Sequence, residues 1–169
     1  MAEADKIFGT KVKYEGVFSF KDFYKFCYNW LVDETGLDIT EKKYSEKIKG
    51  GVKDIDIEWE GVKKLSDYFM FSMKVEFKII AMADVEINQN GVKMKSNKGE
   101  VGIKVSSKIV RDYDGKFEVS PTQKFIRAIY EKWIIKTRID AIENKIIGDS
   151  DEFLGQAKAF LDIEGKSRH

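Results

Sequence analysis

Histidine, cysteine and clustered carboxylates are where this sequence would show catalytic or metal chemistry. It holds one histidine, His169, and one cysteine, Cys27. A single imidazole cannot build a multi-histidine metal site. A His general base, or a Ser–His or Cys–His nucleophile pair, is not expected either. Cys27 falls on the apolar side of a helix, far from the helix N-terminus that would lower a thiol pKa, so it reads as core rather than as a reactive group. Gly50-Gly51 has neither the strand-to-helix setting nor the following Lys-Ser/Thr of a phosphate-binding loop. These absences leave no residue set for catalysis, no metal site and no cofactor to expect.

Two charge patterns remain. Asp54, Asp56, Glu58 and Glu60 alternate along one strand and could gather a hard cation. Carboxylates two residues apart on a strand are spread at about 6–7 Å, without the turning loop that makes oxygens converge. A solvated outer face paired with lysines is the expectation. Residues 93–111 carry Lys93, Lys95, Lys98, Lys104, Lys108 and Arg111 against Glu100 alone, a run on which an anionic surface could dock. No aromatic side chain is interleaved there to stack on bases, so this too reads as a solvated sheet face.

The bulk composition frames these readings. With 43% hydrophobic, 13% aromatic and 35% charged residues, the chain can form one packed domain over residues 1–169. Thirty basic residues nearly cancel 29 acidic ones, a net charge of +1, so nucleic acid is not the expected partner. Most of the basic residues are lysine, with arginine only at positions 111, 127, 138 and 168, which suits solvation better than bidentate recognition. A lone cysteine excludes an intramolecular disulfide. Residues 1–6 have no apolar run and two acids, so a signal peptide is not expected. The apolar neighbourhood 69–87 is interrupted by Lys74, Glu76, Lys78 and Asp84, and no transmembrane segment is expected. The cytoplasm is the expected location.

Caps and periodicity supply the elements. Ser19 with Asp22 three residues on forms a capping-box-like start, and Phe18 and Phe23 take the positions of a hydrophobic staple. Phe20, Phe23, Cys27, Trp30 and Leu31 then recur at helical spacing up to Gly36, which predicts a helix over 20–35. A first strand precedes it over 11–18, with a bulge-compatible Gly16. An exposed or edge strand is expected over 39–48, a turn at Gly50-Gly51, and a half-buried strand where Ile55, Ile57 and Trp59 alternate with acids. From Tyr68 to Ile87 the odd positions are apolar for some twenty residues, so that run should be curved, bulged or split in two. Asn90-Gly91 makes a hairpin turn. Strand character follows to Ile109, with a pause at Asn97-Lys98-Gly99.

Ser120-Pro121-Thr122-Gln123 starts a second helix, read as running to Ile147 and stopping at Gly148. Phe125, Ile126, Ile129 and Trp133 form one side of it, assigned to the sheet. Ile135, Ile139, Ile142 and Ile146 form another, left for a third helix or another molecule. That third helix, expected over 150–164, is capped by Ser150 and closed by Gly165. The fold class is therefore α+β: a curved antiparallel sheet against a long C-terminal helix, a helix between the first two strands, and an extra short C-terminal helix.

This order over residues 10–147 resembles the helix-grip fold of START-like and birch-pollen-allergen-like proteins, with 20–35 in place of the family's paired short helices and 121–147 as the gripping helix. It departs in lacking a turn within 68–87 and in the added helix at 150–164. The resemblance implies binding of a lipid, sterol or other hydrophobic small molecule between sheet and terminal helix. Trp59, Phe71, Met73, Phe77, Tyr130 and Trp133 are the candidate lining residues; the alternative for each is plain core. A second expectation is an interaction or structural module, docking through the C-terminal helices as a homo-oligomer. An enzyme would have to use Asp, Glu, Lys or Tyr, and no such set stands out.

Overall fold

The computed structural model describes residues 3–111, 121–129 and 136–167. Five strands form one antiparallel sheet: β1 (Glu3–Phe18), β2 (Asp38–Lys49), β3 (Val52–Lys64), β4 (Phe69–Gln89) and β5 (Val92–Arg111). Their order is β1-β5-β4-β3-β2, so the first strand closes beside the last and the others follow by hairpins. Helix α1 (Phe20–Trp30) follows β1, α2 (Pro121–Ile129) follows the sheet, and α3 (Lys136–Ser167) ends the described chain.

The start of α1 forms as its sequence dictates. The Ser19 hydroxyl accepts from the Asp22 amide at 3.3 Å, and the Phe18 and Phe23 rings meet edge-on at 6.3 Å. The helix loosens into a single π-type turn, Leu31–Thr35, and Gly36 ends it in the left-handed conformation (φ 71°). Phe23, Cys27 and Leu31 are fully buried.

Strand β4 runs 21 residues without a break. It is bulged rather than split. Register with β5 shifts between Ile80 and Ala83, so Ala81 and Met82 together oppose Gly99. Ala81 takes a positive φ of 53°, and its amide donates to the Asp54 carboxylate at 2.9 Å. A side chain at position 99 would meet the Met82 backbone at 3.0 Å. The apparent pause at Asn97-Lys98-Gly99 is therefore the partner of the bulge, and β5 continues through it.

Strand alternation divides the sheet into two faces. Ile57 and Trp59 of β3, Met73, Val75, Phe77 and Ile79 of β4, and Val101, Ile103, Val105 and Ile109 of β5 are buried on the face that carries α1 and α3. Lys74, Glu58, Glu60 and Lys108 lie on the opposite face.

Helix α3 differs from the helices read from the sequence. Gly148 does not stop it, and Ser150 does not start another: Lys136–Ser167 is one 32-residue helix. Ser150 is wholly buried, and its hydroxyl donates to the Ile146 carbonyl at 2.7 Å while lying 2.7 Å from the Ser107 hydroxyl of β5. It serves the helix–sheet contact, not a cap. Ile146, Phe153, Leu154, Ala157 and Leu161 are buried along one stripe, with Ile139 and Ile142 packed on the same core. Gly165 belongs to that stripe as well; a Cβ there would strike the Tyr14 hydroxyl. Continuous packing on β1, β5 and α1 outweighs the roughly 1 kcal/mol penalty of an internal glycine. Gly148 faces open space, so Gly148→Ala should stabilise the protein by about 0.5–1 kcal/mol in urea denaturation. A destabilisation would mean that Gly148 ends the helix in a left-handed conformation instead.

Candidate functional site

The face between sheet and helices gathers four of the six candidate lining residues. Trp59 sits on β3 beside Val75 of β4, and Phe77, Met73 and Phe71 follow one another on the same side of β4. All four are buried. Tyr130 and Trp133 lie outside the described residues.

At the centre, aromatic rings close on one another. Trp59 meets Phe77 at 4.8 Å, Tyr24 at 5.2 Å and Tyr28 at 5.8 Å, each near-perpendicular. Phe23 joins Phe77 at 5.8 Å. These are the edge-to-face arrangements that ring quadrupoles favour. Phe160 of α3 stacks on Phe26 at 4.6 Å and ties the two helices together.

One carboxylate serves the polar ends of two rings. An oxygen of Glu41 accepts from the Trp59 indole at 2.9 Å and from the Tyr24 hydroxyl. Burial, and then Glu41 itself, pushes the Tyr24 phenol up to about 12. The space enclosed by Phe20, Phe23, Tyr24, Ile57, Trp59, Phe77 and Ile79 has no room for a water molecule. Between α1 and the sheet the side chains fill their own interior.

Cys27 and the alternating acids lie where their patterns suggested. Cys27 is buried among this core, and burial pushes its thiol well above the ordinary range. It should stay unmodified by an aromatic disulfide reagent at pH 8 in the native protein and react at once in denaturant; rapid native labelling would show that the helix opens. Among the described residues no three His, Cys, Asp or Glu side chains converge on a point that could hold a metal ion. Of the alternating acids, Asp54 holds the β4 bulge, Glu58 lies 3.5 Å from Lys74 and Glu60 3.8 Å from Lys42. No described helix is long and apolar enough to cross a membrane.

Two surface features complete the inventory. Helix α2 exposes Phe125, Ile126 and Ile129, the residues the sequence reading assigned to the sheet. On the sheet's outer face a cleft of about 430 Å³ opens between Lys6, Lys108, Lys74 and Lys42, over Ser72 and Ser106. Sequence reasoning missed the cleft because its residues come from all five strands. The only signal was a pair of serines at outward positions of two long, otherwise lysine-bearing strands.

The class these observations define is an α+β protein with a five-stranded open antiparallel sheet, a helix after the first strand and a long C-terminal helix on the same face. No family model, curated protein or solved structure matches the chain.

Proposed function

We propose that this protein is a non-enzymatic docking module that pairs with a second copy of itself through α2. The observation that carries the reading is the exposure of Phe125, Ile126 and Ile129, at 66%, 50% and 40%. Positions i, i+1 and i+4 of a helix fall within about 100° of its circumference, so the three form one apolar strip. Large apolar side chains exposed together mark an interaction surface more often than idle surface. A strip of this kind can be self-complementary across a two-fold axis. The net charge of +1 leaves little repulsion to keep two copies apart. The chain's single cysteine is a buried thiol, which suits a cytoplasmic setting.

The motive for docking thus moves along the chain. The side formed by Ile139, Ile142 and Ile146, expected to meet a third helix or another molecule, packs against the core. Of the side expected on the sheet, Phe125, Ile126 and Ile129 face outward.

Carriage of a hydrophobic small molecule or lipid is the second reading. The element order, with a helix after the first strand and a long C-terminal helix after the last, is what suggests this reading. The ring packing around Trp59 opposes it. Native mass spectrometry followed by organic extraction separates the two. Docking predicts an empty dimer at twice the 19.5 kDa chain mass; a defined apolar molecule bound one-to-one to a monomer would replace docking with carriage.

A further inference from the structure

We propose that the outer-face cleft is a binding site for a small phosphomonoester, separate from the α2 surface and independent of the docking reading. The cleft measures about 430 Å³, within the range of small-molecule sites and too large for a bare phosphate. Its floor follows from the register. Gly9 of β1 pairs with Ser106 of β5, which pairs with Lys74 of β4, and one row along Lys6 pairs with Lys108, which pairs with Ser72. Small residues at positions 106 and 72 lower the centre of the sheet surface, the Lys6 side chain lies over Gly9, and the other lysines rise around the cleft.

Charge gives the ligand its class. Four lysines, Lys6, Lys42, Lys74 and Lys108, line the cleft with two glutamates, Glu58 and Glu60. The excess is two positive charges, which a phosphate dianion neutralises. The excess is also localised. Lys74 is held by Glu58 at 3.5 Å and Glu76 at 3.0 Å, and Lys42 by Glu60 at 3.8 Å. Lys6 and Lys108 have no carboxylate within ion-pair distance among the described residues, and they stand side by side at the β1–β5 end. Lysine ammonium groups bind phosphate as point charges, needing no planar geometry.

Ser72 adds a hydroxyl to the floor. The residue is 5% exposed overall and lines the cleft, with its hydroxyl oxygen open to it. Ser72 pairs directly with Lys108 across β4 and β5, so one phosphate group can meet both side chains. Glu58 and Glu60, at the far end, can accept from hydroxyl groups on the rest of the ligand.

The test is a 1H–15N NMR titration of the full chain with glycerol 3-phosphate, with glycerol as the control. Saturable shifts at the amides of residues 72, 74, 106 and 108 are expected, absent with glycerol. Affinity should fall at least tenfold in Lys108→Gln and in Ser72→Val, and stay unchanged in Lys104→Gln, which removes a charge from the same face outside the cleft. Lys108 is exposed, so Lys108→Gln tests the charge without touching the core. Shifts that do not saturate, shifts that appear equally at Lys93 and Lys95, or an affinity unmoved by Lys108→Gln would overturn the proposal.

Discussion

Trp59→Ala should remove about 3–5 kcal/mol of stability, the range for truncating a large aromatic side chain in a packed core. Trp59 is 1% exposed and makes ring contacts with Tyr24, Tyr28 and Phe77. Its removal opens a cavity that those rings cannot all fill, since Phe77 is fixed on β4 and the tyrosines on α1. It also takes away a donor from Glu41, although Tyr24 still donates to the same oxygen. Domains of this size are stable by roughly 5–15 kcal/mol, so the variant loses at least about a fifth of its margin. Urea denaturation followed by circular dichroism measures the loss as a fall in midpoint at constant slope. Trp59→Phe, which keeps a six-membered ring but loses the pyrrole part of the indole with its donor, should cost less, roughly 1–2 kcal/mol. If Trp59→Ala cost under about 1 kcal/mol, the residue would be lining an open space, as a carrier requires.

The second large effect is expected at Phe153→Ala, again about 3–5 kcal/mol. Phe153 is fully buried near the middle of α3, with its ring 5.7 Å from that of Trp30. A helix in a folded protein gains most of its stability from the face it packs, and Phe153 sits between Ile146 and Ala157 on that face. The variant should keep its helical signal at low temperature while its urea midpoint falls. A loss of helix signal in the absence of denaturant would show that α3 depends on this one contact for its existence. A negligible change in midpoint would mean that α3 is not seated on the sheet here.

These two sites show what could be read from sequence and what could not. The start of α1 was legible because its determinants are local: Ser19, Asp22, Phe18 and Phe23 lie within five positions and settle the geometry among themselves. Strands β3 and β4 were legible from period-two alternation, and the length of the 69–89 run already implied a bulge. Where the bulge falls depends on Gly99 and Asp54, which only the strand register brings to Ala81. The C-terminal helices were misread for a related reason. Gly148 and Ser150 carry the local marks of a stop and a start, but Ser150 meets Ser107 on β5, and continuous burial of one stripe overrides the local preference. Which side of residues 121–147 faced the sheet was likewise beyond periodicity, because both sides carry isoleucines.

The candidate interior was legible as a set of apolar positions, not as a cavity. Trp59, Phe71, Met73 and Phe77 are where alternation placed them. Whether they enclose space depends on how Tyr24, Phe23 and Phe20 of α1 meet them, and that is settled by ring geometry.

Sedimentation velocity across a hundredfold concentration range, on the full chain and on Phe125→Asp, tests the docking account most directly. The unmodified chain should reach twice its monomer mass as concentration rises. Phe125→Asp should stay monomeric with an unchanged urea midpoint, because Phe125 is exposed and contributes little to the fold. A native chain that remains monomeric throughout, or a dimer that Phe125→Asp leaves intact, would contradict docking through α2.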